Sequence, residues 1–194
     1  MIAFVRGHFA VKTPARVVVD VNGVGYDLQI SLNTYSAISN KENGQLFTYL
    51  HITENAQTLF GFAELAEKEM FLNLISVSGV GAATARMMLS GMQPDEIARA
   101  IVQGNTRQLE SIKGIGKKSA ERLIVELRDK LAKQSLDSAV VLTGFQKADA
   151  DAVQALIALG IGRPVAEQAV KKTMTSAADN VSLEDIIKQA LKNL

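Results

Sequence analysis

The chain reads as a multidomain α+β protein: a small all-β block first, an all-α block second and a compact three-helix unit last. Two observations predict this order. Apolar residues recur with a period of two up to residue 63, and with a period near 3.6 from Glu64 onward. The stretch KQSLDSAVVLTGFQKA at 133–148 then breaks the helical pattern before it resumes. The expected parts are a β domain at 1–63, a helical domain at 64–133, a flexible linker at 134–148 and a helical domain at 149–194.

Five runs rich in β-branched and aromatic residues mark the strands: MIAFVRGHFAV, ARVVVDV, GYDLQIS, LFTYLHIT and AQTLFGFA. Thr13-Pro14, Asn22-Gly23 with Gly25, and Asn43-Gly44 separate them. Asn22-Gly23 signals a hairpin, because both residues tolerate positive φ. Five short strands make a small barrel or sandwich.

In the second block, AELAEKEMFLNLISV places Leu65, Met70, Leu74 and Val77 mostly on one side. PDEIARAIVQG groups Ile97, Ala100 and Ile101, and Pro94 with Asp95 and Glu96 suits a helix start. The last block contains DADAVQALIALG, PVAEQAVKKTM and SLEDIIKQALKNL, three short amphipathic helices. Their starts fall at Asp149 or Asp151, at Pro164 and at Ser182, the last with Asp185 three residues on. A unit this small needs nearly every apolar residue inside, so Ala155, Leu156, Leu159 and Ile161 are read first as core.

Composition removes several classes of function. The chain has no Cys and only two His, His8 and His51, so disulfides, a thiolate nucleophile and a usual zinc site are not expected. No metal or cofactor is called for. Neither a signal peptide nor a long apolar span is visible, and a soluble cytoplasmic protein without a membrane partner is expected. Net charge is only +1, but residues 105–144 carry eight basic and five acidic side chains.

That basic excess surrounds GIGKKS at 114–119, which invites comparison with a nucleotide-binding loop. The P-loop template fails, because Lys118 stands where Ser or Thr is required and Ser111 where the first Gly is required. A shift of 35 residues gives a better account. Leu74-Ile-Ser-Val77-Ser-Gly79-Val80-Gly81 aligns with Leu109-Glu-Ser-Ile112-Lys-Gly114-Ile115-Gly116, followed by Thr84-Ala85 on Ser119-Ala120. Each copy is a short helix, a Gly-apolar-Gly turn and a second helix, which is the helix-hairpin-helix motif. Glycines leave the turn bare, so amide N–H groups and the next helix N-terminus face outward as a phosphate cradle. Val80 and Ile115 are expected to pin the turns to the core. Lys117 and Lys118 flank the second cradle, with Arg122 one turn beyond Lys118 and Ala120, Leu123, Ile124, Leu127 and Leu131 as the opposite, buried stripe. Such a surface suits the backbone phosphates of a nucleic acid, which position a protein without reading bases.

The order of parts resembles the RuvA family over essentially the whole chain. The resemblance rests on VNGVGYDLQIS at 21–31, HITENAQTLFGFAE at 51–64, SVSGVGAATARMMLSGM at 76–92, SIKGIGKKSAERLIVELRDKL at 111–131 and ALIALGI at 155–161. It implies an oligonucleotide-binding (OB) type barrel, a tandem helix-hairpin-helix domain and a UBA-like C-terminal domain. It further implies a homotetramer, or an octamer of two face to face, that holds Holliday junction DNA in an open square. The hexameric RuvB ATPase would be the motor partner for branch migration, contacted by the C-terminal domain with Leu159 and Ile161 as candidates, and the RuvC resolvase a further partner. The setting implied is homologous recombination, DNA repair and the SOS response, with ATP hydrolysis in the partner and no catalytic residue in this chain.

The family's acidic pin, two acids on a loop between barrel strands, would fall on Glu54 and Asn55, where the second acid is missing. At the first hairpin Ala82 and Ala83 replace an expected lysine, with Arg86 one turn later as the remaining cation. The DNA-binding set implied is therefore Gly79, Val80, Gly81, Arg86, Gly114, Ile115, Gly116, Lys117, Lys118 and Arg122. Two alternatives compete: a generic helix-hairpin-helix DNA binder, and a repair nuclease or glycosylase. The enzyme reading lacks support, since Asp129 sits within the charged run RDK and neither His has a nucleophile near it in sequence. A general single-strand binder is disfavoured by three Tyr and no Trp, a poor stacking platform.

Overall fold

A computed structural model describes residues 2–140, 147–176 and 182–192. Its five strands, β1 (Phe4–Thr13), β2 (Arg16–Val21), β3 (Val24–Gln29), β4 (Asn43–Ile52) and β5 (Gln57–Phe62), close into a barrel in the order β1-β2-β3-β5-β4. All neighbours are antiparallel except β3 and β5. Asn22 and Gly23 turn the β2–β3 hairpin with φ of 53° and 88°, as their types require, and the Gly23 N–H donates to Asp20 Oδ1 at 2.7 Å. Alternation puts Val5, Phe9, Val17, Val19, Leu28, Leu46 and Leu59 inside the barrel.

β5 serves two cores. Leu59 faces the barrel interior, whereas Phe60 and Phe62 face the other way and stack on Phe71, each with ring centroids 5.0 Å away. Phe71 belongs to α2 (Leu65–Ile75), so barrel and helices share a contact layer. The helical core continues through α3 (Ala82–Gly91), α4 (Pro94–Val102), α5 (Thr106–Glu110) and α6 (Lys117–Val140). At α4 the expected start is realised as a capping box, with the Gln93 N–H donating to Glu96 Oε2 at 2.8 Å.

Three features depart from the sequence reading. A seven-residue helix, α1 (Leu32–Ile38), lies between β3 and β4 where small polar residues gave no periodic signal. Ser31 caps it through the Thr34 N–H, and Thr34 and Ile38 are buried. In α2, Leu65 is 49% exposed, and the buried stripe runs through Glu67, Met70, Phe71 and Leu74. The stripe starts at an acid because the Ser31 and Thr34 hydroxyls both donate to the Glu67 carboxylate, the latter at 2.6 Å. Finally, α6 continues to Val140 and the next helix begins at Lys147, so much of the span expected as linker is helical. Residues 141–146 lie outside the described residues.

The chain divides into two compact units, Met1–Ala132 and Lys133–Leu194. In the second, α7 (Lys147–Ala158), α8 (Arg163–Ser176) and α9 (Leu183–Lys192) enclose Ala152, Val153, Leu156, Ala166, Ala169, Val170, Ile186 and Ala190. The start of α9 is the expected one: Ser182 Oγ accepts from the Asp185 N–H at 3.2 Å and donates to Asp185 Oδ2 at 2.7 Å. Leu159, read first as core, is 64% exposed. Gly160, at φ 90°, ends the α7 segment immediately after it, and Leu156 takes the interior place. Ile161 is half-buried against that core. Among the described residues, no helix is long and apolar enough to cross a membrane.

Candidate nucleic-acid interface

The two Gly-apolar-Gly turns are built alike, bond for bond. In the first, Val77 N–H donates to the Leu74 carbonyl (3.2 Å), Val80 N–H to Val77 (3.0 Å) and Ala85 N–H to Gly81 (2.9 Å). In the second, Ile112 N–H donates to Leu109 (3.2 Å), Ile115 N–H to Ile112 (3.0 Å) and Ala120 N–H to Gly116 (3.0 Å). Gly79 and Gly114 take φ of 90° and 95°, a region that side-chain-bearing residues avoid. Val80 and Ile115 are each 5% exposed and sit in the helical core, so their side chains anchor the turns.

Gly81 and Gly116 are the informative pair. Gly81 has φ −81°, which any residue adopts, and neither glycine is left-handed. A Cβ built on either would meet nothing within 4 Å. Nothing inside the described chain therefore demands glycine there. The N-termini of α3 and α6 are thus left bare at both turns.

The charges around the two turns differ. Lys113, Lys117 and Lys118 stand exposed about the second turn. Lys113 was not singled out from the sequence, although the 35-residue shift pairs it with Ser78 and so marks it as the residue before the glycine. Arg122 is exposed one turn along α6 but shares its charge with Glu126, Nε to Oε1 at 2.8 Å. At the first turn Ala82 is buried and Ala83 is exposed, with no cation beside them.

Arg86, the cation expected near the first cradle, is half-buried and bonded to the barrel. Its Nη1 donates to the Ala15 carbonyl (3.1 Å), in the turn after β1, and to Gln29 Oε1, at the end of β3. The reason is helical phase. Position 86 shares a face of α3 with Ser90, and that face meets the barrel side, where Ser90 Oγ accepts the Leu32 N–H at 3.1 Å.

Glu54 and Asn55 form the exposed tip of the β4–β5 hairpin. Thr53 closes the turn, its N–H and Oγ1 both donating to the Ala56 carbonyl at 2.9 and 3.2 Å. One carboxylate stands at this tip. Among the described residues, no three His, Asp or Glu side chains converge as a metal site would require.

A closed barrel sharing a contact layer with paired Gly-apolar-Gly cradles defines a barrel-bearing protein of the helix-hairpin-helix class. Residues 1–61 match the family model for the RuvA N terminal domain, 71–129 that for the SAM-like helix-hairpin-helix tandem, and 147–194 that for the RuvA C-terminal domain. Similar curated proteins carry the name Holliday junction branch migration complex subunit RuvA. The one from Cytophaga hutchinsonii is 45% identical, over 99% of both chains, and the one from Flavobacterium psychrophilum is 46% identical over 100% of both. A relative from Geobacter sulfurreducens is 42% identical over 100% of this chain and 99% of its own. The chain belongs to the RuvA family.

Proposed function

We propose that this protein binds four-way Holliday junction DNA through its backbone phosphates, holds the junction open and recruits the RuvB motor for branch migration in recombination and repair. The observation that carries the reading is the pair of matching cradles whose second glycines, Gly81 and Gly116, are required by nothing among the described residues. The names of the full-length relatives support it. Lys113, Lys117 and Lys118 would meet phosphates directly, while the first cradle would act through backbone amides. A non-catalytic role in the cytoplasm follows, with ATP hydrolysed by the partner.

Assembly removes the objection that a chain of charge +1 binds a polyanion. Residues 105–144 carry a local +3, or +12 over four copies. Exposed apolar side chains on the first unit, Phe4, Val24, Ile52, Met87 and Val125 among them, offer surface that a ring of copies would cover. Glu54 would project toward the junction centre and disfavour continuous duplex there by repulsion. In the second unit, exposed Leu159 beside half-buried Ile161 is the surface assigned to the motor.

The test is a titration of the purified protein on a synthetic four-way junction and on linear duplex of the same arm sequence at matched salt. A strong preference for the junction in a tetramer-sized complex is expected. Equal affinity would reduce the protein to a general helix-hairpin-helix DNA binder, and strand cleavage would reinstate the enzyme reading.

A further inference from the structure

We propose that Arg86 and Asn33 are positioning residues that lock the first cradle at a set angle to the barrel, and that this angle gives the protein its preference for branched over linear DNA. The inference rests on the backbone-binding reading above. Its observations are separate from the cradles.

α3 begins at the first cradle and is held from the barrel side along its length. Arg86 reaches back to Ala15, in the β1–β2 turn, and to Gln29, at the end of β3. One turn on, Ser90 Oγ accepts from Leu32 N–H and donates to the Arg86 carbonyl at 2.9 Å. At the far end Asn33 Nδ2 donates to the carbonyls of Leu89 (2.6 Å) and Met92 (3.0 Å), groups that a helix terminus leaves without intrahelical partners. Asn33 Oδ1 in turn accepts from Gln93 Nε2 at 2.9 Å, which carries the brace to the start of α4. The short helix α1 thus bolts α3 to the same barrel that bears Glu54.

Linear duplex and a junction offer a cradle the same phosphates. They differ in where one arm points relative to the next. Beside the repulsion at the Glu54 tip, discrimination between them therefore draws on the angles among contact points, and a braced helix sets such an angle where a loose one would adapt to either ligand. The first cradle, poor in cations but rich in braces, is suited to this task, and the lysine-flanked second cradle to affinity. The side-chain type agrees: both acceptors are met by one guanidinium nitrogen, Nη1, whose two hydrogens diverge at an angle fixed by the planar group, where an ammonium would rotate.

The experiment uses full-length wild type, Arg86→Lys, Arg86→Ala, Asn33→Asp and Lys118→Ala. Affinities for the four-way junction and the linear duplex are measured over a salt series, with thermal melting alongside. Arg86→Lys and Asn33→Asp are expected to lower the junction-over-duplex affinity ratio by about fivefold or more while the duplex salt slope holds. Lys118→Ala is expected to weaken both ligands and flatten the slope by about one. If Arg86→Lys binds like wild type while Arg86→Ala flattens the slope, Arg86 is a phosphate contact and the proposal fails. Equal losses on both ligands in the brace variants, tracking a lowered melting temperature, would also overturn it. Should Arg86→Lys not fold, Gln29→Ala removes one of the two acceptors of Arg86 Nη1, and the ratio must fall there too. A wild type without junction preference would sink the underlying reading, whereas a preference that survives in the brace variants would sink this proposal alone.

Discussion

Glu67 is 3% exposed, beneath the hydroxyls of Ser31 and Thr34, and burial holds its carboxyl above the ordinary value of 4.5 against the pull of those two donors. Below that ordinary value the folded and unfolded chains both carry the proton. As pH rises, the unfolded chain ionises first and the folded one keeps its proton until its own higher pKa. Stability therefore declines across that window and levels off above it. Melting curves of wild type from about pH 4 to about pH 8 are expected to show this decline, and Glu67→Gln to lack it; parallel pH profiles would refute the assignment. Glu67→Ala leaves two buried hydroxyls without their acceptor and is expected to cost about 2 to 4 kcal/mol in urea unfolding. The cradle glycines separate along another line. Gly79→Ala and Gly114→Ala force a side chain to φ near +90° and are expected to destabilise by about 1 to 2 kcal/mol. Gly81→Ala and Gly116→Ala have ordinary geometry and open space, so stability should move by less than about 1 kcal/mol. DNA affinity should nonetheless drop at least about tenfold, and a full retention of binding would show that nothing approaches those turns closely.

The two hairpins are one element written twice with different charges, which makes a gain of function testable. Ala83 is exposed at the position that Lys118 occupies in the second copy. Ala83→Lys is expected to tighten junction binding and steepen its salt dependence by about one phosphate contact, as read from binding titrations at several salt concentrations. An unchanged slope would mean that the first cradle's flank does not face a phosphate. These hairpins were legible in sequence because a Gly-apolar-Gly frame repeated at 35 residues tests itself: one copy can be accident, and its partner gives the register. The strands were legible through alternation and the Asn22-Gly23 turn. α1 was not, because Ser31, Asn33 and Thr34 hold it through polar bonds to α2 and α3, and such bonds leave no period. The same blindness put Leu65 on the apolar side of α2 and gave no sign that Glu67 is buried. The barrel bonds of Arg86 were not legible either, because a lone arginine on a helix gives no sign of the Ala15 carbonyl and the Gln29 amide opposite it.

At the scale of the whole molecule, charge and apolar surface are divided between two units that each close a core of their own. The first, Met1–Ala132, contains both cradles, the brace and the Glu54 tip. In the second, Leu156, Val170 and Ile186 lie in a separate core, and Leu159 is left outside beside the Gly160 turn. A core that is complete without its neighbour lets a unit fold alone. Removing residues 145–194 is therefore expected to leave junction affinity within about twofold of wild type, since every proposed phosphate contact survives and independent units contribute additively. The same truncation should abolish stimulation of the RuvB ATPase. Leu159→Asp in the full chain should reproduce that loss without the truncation, because an exposed position accepts a charge at little cost to folding while an apolar contact does not. Junction titrations and ATPase assays on the two proteins decide the matter. Lost junction affinity in the truncation would place part of the DNA site beyond the hairpins. Normal ATPase stimulation by Leu159→Asp would move the motor contact to another face of the three-helix unit.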